Sequence, residues 1–392
     1  MIRPLFAFLV LLALLGDARV FLYILNRFVF GSHREERSPW NWLMFAVPPL
    51  LLALTLMFWP LSNWIDRLQS TRIVEWLAPE RLEEMAWSIV FAKLGSAWLL
   101  IAAAVGLLWI VERLHALQLR DVPLIGVVSQ PSGARRRWLH NDLYDIEVTR
   151  HEVFIDDLPA AFDGYRIAFL TDTHVAGFMR RSFYREVVAA ARAFDPDLVL
   201  LGGDLVTWQR DIPLMGELLL TDLTAHDGVF AVLGNHDYWA GANLVSATLA
   251  SHGIALLTNR AVTLHRDGDR LWLVGIDEMY RGTPDVAAAF APIADHPPAV
   301  GVSHHPDIVD LLDGRRLDLL VCGHTHGGQI RFPFFGAVVV PSRHEGAYAA
   351  GFHRIRNVLL YVSRGIGAVP PLRILCRPEV ATFTLRRGRR TE

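Results

Sequence analysis

Seven side chains with oxygen or nitrogen donors follow short apolar runs beyond residue 165: Asp172, His174, Asp204, Asn235, His304, His324 and His326. Asp172-x-His174 and His324-x-His326 share an i, i+2 spacing, which aims both donors the same way from an extended backbone. Asp204 follows Gly202 and Gly203, which allow a turn tight enough to carry its carboxylate inward. No thiolate is among these donors, so a hard or borderline divalent ion such as Mn, Fe, Zn or Mg is favoured. The set is too large for one ion. With one carboxylate shared, it suits two. Two ions about 3.5–4 Å apart polarise a phosphoryl group, activate a water and stabilise the leaving oxygen. The chemistry expected is hydrolysis of a phosphoester.

Those donors need elements to position them. Short strands are expected at Arg166–Leu170, Asp197–Leu201, Gly228–Leu233, Ala299–Val302 and Leu317–Cys322, each running into a donor and a turn former. Ser182–Phe194 reads as a helix with Val187, Val188 and Ala191 on one face. Further strands are expected at Ala337–Val340, Val358–Val362 and Val380–Leu385. This is an α/β pattern without internal repeats. Sites in such sheets lie at the carboxyl ends of the strands, so the donors should meet along one edge.

Asp172-Thr173-His174, Gly203-Asp204, Gly234-Asn235-His236-Asp237, His304-x-Pro306 and Gly323-His324-Thr325-His326 occur in a telling order. That order and approximate spacing resemble the motifs of the calcineurin-like metallophosphoesterases, over about residues 150–387. Gly327-Gly328-Gln329-Ile330, Ser363-Arg364-Gly365-Ile366-Gly367 and Pro378-Glu379 resemble the bacterial YkuE-like branch. That branch includes membrane-associated enzymes similar to UDP-2,3-diacylglucosamine hydrolases. The resemblance implies that Asp172, His174, Asp204 and His326 hold one metal. It implies that Asp204, Asn235, His304 and His324 hold a second, with Asp204 bridging. Manganese is the favoured ion. His236 would contact the phosphate or protonate the leaving group, oriented by Asp237. The implied fold is a four-layer β-sandwich flanked by helices; the strand pattern alone does not separate that from a doubly wound single sheet. His305 competes with His304 as a ligand, and the His-x-Pro pattern favours His304. For His236 the competing reading is a purely structural hydrogen-bonding role. His265 and His353 read as surface residues, and His252 and His344 lack motif context.

The rest of the chain has another character. The 392 residues are 52% hydrophobic and 20% charged, with mean hydropathy +0.29. Soluble domains average about 45–50% apolar and about 25% charged residues, so the excess needs a location. Eight of the twelve Trp lie before residue 110. Residues 38–65 carry no charge, exceed the ~20 residues that cross a bilayer as helix, and bear Trp40, Trp42, Trp59 and Trp64 near their ends. A second such stretch is Leu94–Val111, flanked by Lys93, Glu112 and Arg113. A third, Pro4–Leu25, is interrupted by Asp17 and Arg19 and reads as a span, with a signal peptide as the alternative. The expected organisation is a transmembrane helical region of about three spans over 1–115, a linker over 116–149, the metallophosphoesterase domain over 150–387 and a basic tail over 388–392. The distribution of Arg leans toward a catalytic domain on the cytoplasmic side of a bacterial inner membrane.

Net charge is −2, so no overall field favours nucleic acid, and no nucleic acid binding is expected. The two cysteines exclude a disulfide scaffold. The leading expectation is a membrane-anchored phosphoesterase acting on a phosphomonoester or phosphodiester, with membrane lipids as partners. Its expected substrate is lipid-linked, such as a nucleotide-activated glycolipid. The alternative keeps the chemistry on a soluble cyclic nucleotide or cell-wall phosphodiester. A non-catalytic membrane scaffold ranks third, because every ligand position is filled.

Overall fold

A computed structural model describes residues 13–14, 16–17, 20, 98, 100–107, 127–130, 140–294, 297–332, 336–337 and 339–388. The chain divides between Asp121 and Val122 into two compact units. The apolar stretch 38–65 lies outside the described residues, as do most of 4–25 and part of 94–111. Among the described residues no helix is long and apolar enough to cross a membrane. In the first unit the Trp98 indole donates to Asp17 Oδ1 at 3.0 Å, which satisfies a buried carboxylate in an otherwise apolar stretch.

The second unit is built on strands β1 (Val127–Gln130), β2 (Glu147–Ile155), β3 (Arg166–Leu170), β4 (Leu198–Leu201), β5 (Val229–Ala231), β6 (Ala255–Leu256), β7 (Arg260–Arg266) and β8 (Asp269–Ile276). They continue as β9 (Ala299–Ser303), β10 (Leu317–Cys322), β11 (Arg331–Phe332), β12 (Gly336–Ala337), β13 (Gly351–Ile355), β14 (Val358–Val362) and β15 (Glu379–Arg387). One seven-stranded sheet has the order β1-β2-β15-β3-β4-β5-β6, and a six-stranded sheet has the order β13-β14-β10-β9-β8-β7. Both mix parallel and antiparallel pairs: β2-β15, β3-β4-β5-β6 and β8-β9-β10-β14 are the parallel runs.

Strand periodicity explains the layering. Along β3 and β4, Ile167, Phe169, Leu198 and Leu200 enter a core shared with Val300, Val302, Leu319, Val321, Leu359 and Tyr361 of the other sheet. The alternate residues Ala168, Leu170, Val199 and Leu201 pack against Phe183, Val187 and Ala191 of helix α1 (Arg181–Ala193), Met215 of α2 (Ile212–Met215) and Val245 of α3 (Asn235–Ser251). On the outer face of the second sheet, Leu320, Leu360 and Val362 pack with Phe290 of α4 (Val286–Phe290) and Ile308. Central parallel strands are thus buried on both faces and read as continuous apolar runs. The architecture is a mixed α/β fold in which two sheets face each other and helices cover the outside.

Several expectations need adjusting. The expected domain start at residue 150 falls inside β2, and the sheet reaches back into the expected linker 116–149 to β1, which pairs antiparallel with β2, and to the turn Asp142–Tyr144, where Asn141 Oδ1 accepts from Leu143 N at 3.1 Å. The strand expected over Ala337–Val340 is short: only Gly336–Ala337 pairs, because Val340 turns away into a small buried cluster. The antiparallel hairpin β7–β8 was not expected, although Asp267-Gly268 marks its turn with φ of 49° and 87°.

Phe383 of β15 is fully buried between the sheets. Phe383→Ala should lower the unfolding free energy by about 3–5 kcal/mol. Urea denaturation followed by far-UV circular dichroism checks this, and an unchanged midpoint would contradict the assignment of the inter-sheet core.

Candidate metal centre

The carboxyl ends of β3, β4, β5, β9 and β10 deliver the chemistry. Asp172 and His174 follow β3, Asp204 follows β4, Asn235 and His236 follow β5, His304 follows β9, and His324 and His326 follow β10. Both sheets therefore contribute. Asp172, His174, Asp204, His324 and His326 all have left-handed φ, between 43° and 68°. Non-glycine residues adopt this conformation at a cost, and such strain concentrates at functional sites. Backbone bonds lock it: Asp172 N donates to Gly203 O and His174 N to Asp204 O, each at 2.9 Å. A Cβ at Gly203 would fall on the backbone of Gly234, and one at Gly323 on the side chains of Asp172 and Thr171. Only glycine lets these strand ends approach so closely.

The ligand atoms form groups. In one, Asp172, His174 and His326 offer atoms within 4.8 Å of one another; in another, Asp204, His304 and His324 do. Asp204 also groups with His174 and His236. Its Oδ2 lies 3.6 Å from His174 Nε2 and 3.3 Å from His304 Nε2, so one oxygen faces both groups. Its Oδ1 accepts the backbone N–H of His236 at 2.7 Å. His174 Nε2 and His326 Nε2 stand 3.1 Å apart, and His324 Nδ1 stands 3.1 Å from His304 Nε2. Asn235 Oδ1 and His324 Nε2 are buried without a hydrogen-bond partner.

This donor set fits divalent cations. His304 Nδ1 faces the Gly202 carbonyl oxygen at 2.8 Å and acts there as donor. Its Nε2 then faces a carboxylate oxygen, a place for a positive charge that either a proton or a metal ion can supply. The electrostatics agree. Burial disfavours a charged His304, but Asp204 beside it outweighs burial and pushes its pKa up to about 10. Burial likewise opposes ionisation of Asp204, but His304 and His174 hold it well below the usual carboxylate range. Burial lowers His174 to about 3 and holds His324 and His326 well below their ordinary value, which keeps these rings neutral with lone pairs free for a metal. Burial raises Asp172 to about 6.

The two histidines of the His304-His305 pair take different places. His304 faces Asp204, whereas His305 Nδ1 accepts from Asp307 N at 3.1 Å and its ring packs on Tyr280 and His324. Asp237 needs a correction. It was expected to orient His236, yet its Oδ1 accepts from Leu205 N and Val206 N, at 2.9 and 3.2 Å, and its Oδ2 from Gly234 N at 2.9 Å. Successive residues of a helix point about 100° apart, so Asp237 fixes the loop carrying Asp204 instead of the neighbouring ring. Burial, then Asp204, raises its pKa to about 7.

Sequence reasoning missed the supports. Arg373 is fully buried and donates to the carbonyl oxygens of Arg364 and Gly367 and, at 3.4 Å, of His326. Glu379 accepts from Tyr361 Oη, Thr149 Oγ1 and Arg364 N and holds the loop 363–367 beside Asp172. The only signal was the run Ser363–Gly367 with Pro378-Glu379, which spacing alone could not explain.

A two-sheet sandwich with one carboxylate facing two histidine groups at its strand ends defines a dinuclear metallohydrolase. The family pattern of calcineurin-like phosphoesterases matches residues 165–328. The chain is 33% identical over 247 residues to phosphodiesterase YaeI of Escherichia coli, covering 61% of this chain and 88% of that one. It is 29% identical over 248 residues to the uncharacterized metallophosphoesterase YkuE of Bacillus subtilis, covering 62% and 86%. It is 28% identical over 252 residues to a zebrafish (Danio rerio) protein named as a transmembrane protein with metallophosphoesterase domain, covering 60% and 56%. The chain belongs to the calcineurin-like phosphoesterase family and is a metal-dependent phosphoester hydrolase. The family uses a dinuclear metal site.

Protons and cations compete for His304 Nε2, so apparent metal affinity should rise with pH. One displaced proton gives about tenfold per pH unit below about pH 10, and Asp172 steepens the slope below about pH 6. Competition titrations against a chelating dye across this range check the slope, and an affinity independent of pH would contradict it.

Proposed function

We propose that this chain is a membrane-held phosphodiesterase in which His236 protonates the departing oxygen. One observation carries the reading: Asp204 joins both histidine groups through Oδ2 and fixes His236 through Oδ1. The residue that sets the spacing of the ligand groups therefore also sets the position of the acid. Asp172, His174, Asp204 and His326 would hold one divalent cation, and Asp204, Asn235, His304 and His324 a second, with manganese the proposed ion. When bound, such ions supply Lewis-acid charge to the phosphoryl group and make water nucleophilic near neutral pH.

The chain's own residues do the rest. His236 stands edge-on to His174, with ring centroids 4.7 Å apart, and is half-buried, which leaves its ring accessible to a substrate. A histidine within hydrogen-bond reach of the leaving oxygen can act as general acid. Neutral His174, His324 and His326 present lone pairs inward. Asp237 keeps the Asp204 loop docked on the first turn of α3.

The diester preference is supported by the name of the E. coli relative, and the anchoring by the charge-free stretch 38–65 and the name of the zebrafish relative. A site held beside a bilayer suits a lipid-linked phosphoester such as a nucleotide-activated glycolipid, with the catalytic domain on the cytoplasmic side.

With bis(p-nitrophenyl) phosphate and manganese, His236→Ala should lower kcat by about 10²–10⁴ while bound metal stays unchanged. Asp204→Asn should lose both activity and metal, measured by elemental analysis. Full activity in either variant would sink the assigned roles. The full chain should also remain in the membrane fraction after an alkaline carbonate wash; its release would overturn the anchoring.

A further inference from the structure

A cavity of about 450 Å³ opens beside His236, lined by Thr207, Trp208, Gln209, Arg210, His236, Trp239 and Ala240. Two elements build it: the loop that follows Asp204, and the first turns of α3. The base is anchored, because Thr207 Oγ1 donates to the His174 carbonyl oxygen at 3.3 Å and Asp237 ties the same loop to the helix.

The walls are unusual. Trp208 and Trp239 are 41% and 53% exposed, and folding alone gives no reason to hold two indoles in water. Arg210 lies over the Trp208 ring at 4.9 Å, and Arg281 over the Trp239 ring at 5.3 Å. Phe178, also exposed, meets Trp208 edge-on at 5.7 Å. Trp239 reaches the acid itself, with its ring centroid 4.6 Å from that of His236. The recess is therefore lined by two exposed indoles, each with a guanidinium over its ring, and opens at the catalytic histidine. Its lining includes no carboxylate that would repel an anionic ester. Its concavity suits a small flat group better than a bilayer surface.

We propose that this cavity is the leaving-group subsite, and that the departing alcohol carries a flat aromatic ring. The ring stacks on Trp239 or Trp208, and the adjoining phosphoester charge faces Arg210 and Arg281. Charge complementarity selects the occupant: an anionic ester placed at His236 sets its alcohol between two guanidinium-capped indoles. This rests on the reading of His236 as the acid. Base–aromatic stacking measured by substitution is worth roughly 5- to 150-fold in affinity, and both indoles here are exposed.

The test compares two hydrolytically inert probes of equal charge and similar size, benzyl(methyl)phosphinate and (cyclohexylmethyl)(methyl)phosphinate, in which a P–C bond replaces the P–O bond to the departing alcohol. Calorimetric titration of the full chain, in detergent with manganese, should show the benzyl probe binding at least about fivefold more tightly. The double substitution Trp208→Leu, Trp239→Leu should erase that preference, and Trp208→Phe, Trp239→Phe should retain it. Both tryptophans are exposed, so the variants can be checked for unchanged unfolding midpoints. Equal affinities in the unsubstituted chain, binding of neither phosphinate, or a preference that survives the double leucine substitution would overturn the proposal. Hydrolysis of bis(p-nitrophenyl) phosphate separates the two claims: a benzyl preference without hydrolysis supports the subsite and removes the catalytic reading.

Discussion

Ligand atoms crowded into a dry site set the terms for everything around them. His174 Nε2 meets His326 Nε2 at 3.1 Å, and His304 Nε2 meets Asp204 Oδ2 at 3.3 Å. Electrostatic interactions are far stronger in such an interior than in water. A scaffold that relaxed would let these groups drift apart and find other partners. This one does not relax, because the donors leave their strands through left-handed backbone that is bonded back to neighbouring strand ends. Strain of roughly 1–3 kcal/mol at such a residue persists only where its surroundings over-determine it.

Over-determination comes from buried charges outside the ligand set. Glu379 is fully enclosed, yet Arg364 and the hydrogen bonds around it overcome burial and hold its pKa near about 2. Arg373 bridges carbonyl oxygens of two loops, one carrying His326 and the other Arg364 and Gly367. Gly367 N in turn donates to Asp172 O at 2.6 Å. These contacts tie the last strand, β15, to the first ligand. Breaking a buried, hydrogen-bonded ion pair costs about 3–5 kcal/mol, so this support is stiff. It also explains why the functional unit extends well beyond the last metal motif.

The strands β3, β10 and β14 were legible to the residue in the sequence, because buried parallel strands are continuous apolar runs. The donors were legible because each follows such a run. The hairpin β7–β8 was not, since β7 is only half-buried and its alternation is weak. The role of Asp237 was misread because adjacency in sequence suggested contact with His236, whereas helical geometry turns it toward the amides of Leu205 and Val206. Arg373 gave no signal: a lone arginine in a loop ordinarily reads as solvated, and only tertiary structure shows it buried. Trp208 and Trp239 lie far apart in the chain, so their shared cavity could not be read from spacing.

The two sheets divide the work. The first supplies Asp172, His174, Asp204 and Asn235; the second supplies His304, His324 and His326. Each ligand group draws on both sheets, so the inter-sheet core of Phe169, Leu200, Val302 and Val321 holds the donors within a group together, while Asp204 sets the spacing between the groups. Helix α3 then couples that spacing to the substrate side. Within its first turns it carries Asn235 as a ligand candidate, His236 as the acid, Asp237 as the anchor and Trp239 as a cavity wall, before the chain kinks at Gly241 with φ of 118°. A rigid first segment makes these positions move together, so a displacement that weakened metal binding would also misplace the acid and the stacking surface. Close-packed cores transmit such shifts instead of absorbing them. The kink after Ala240 lets the remainder of the helix follow the outer face of the sheet without dragging that segment out of register with Asp204.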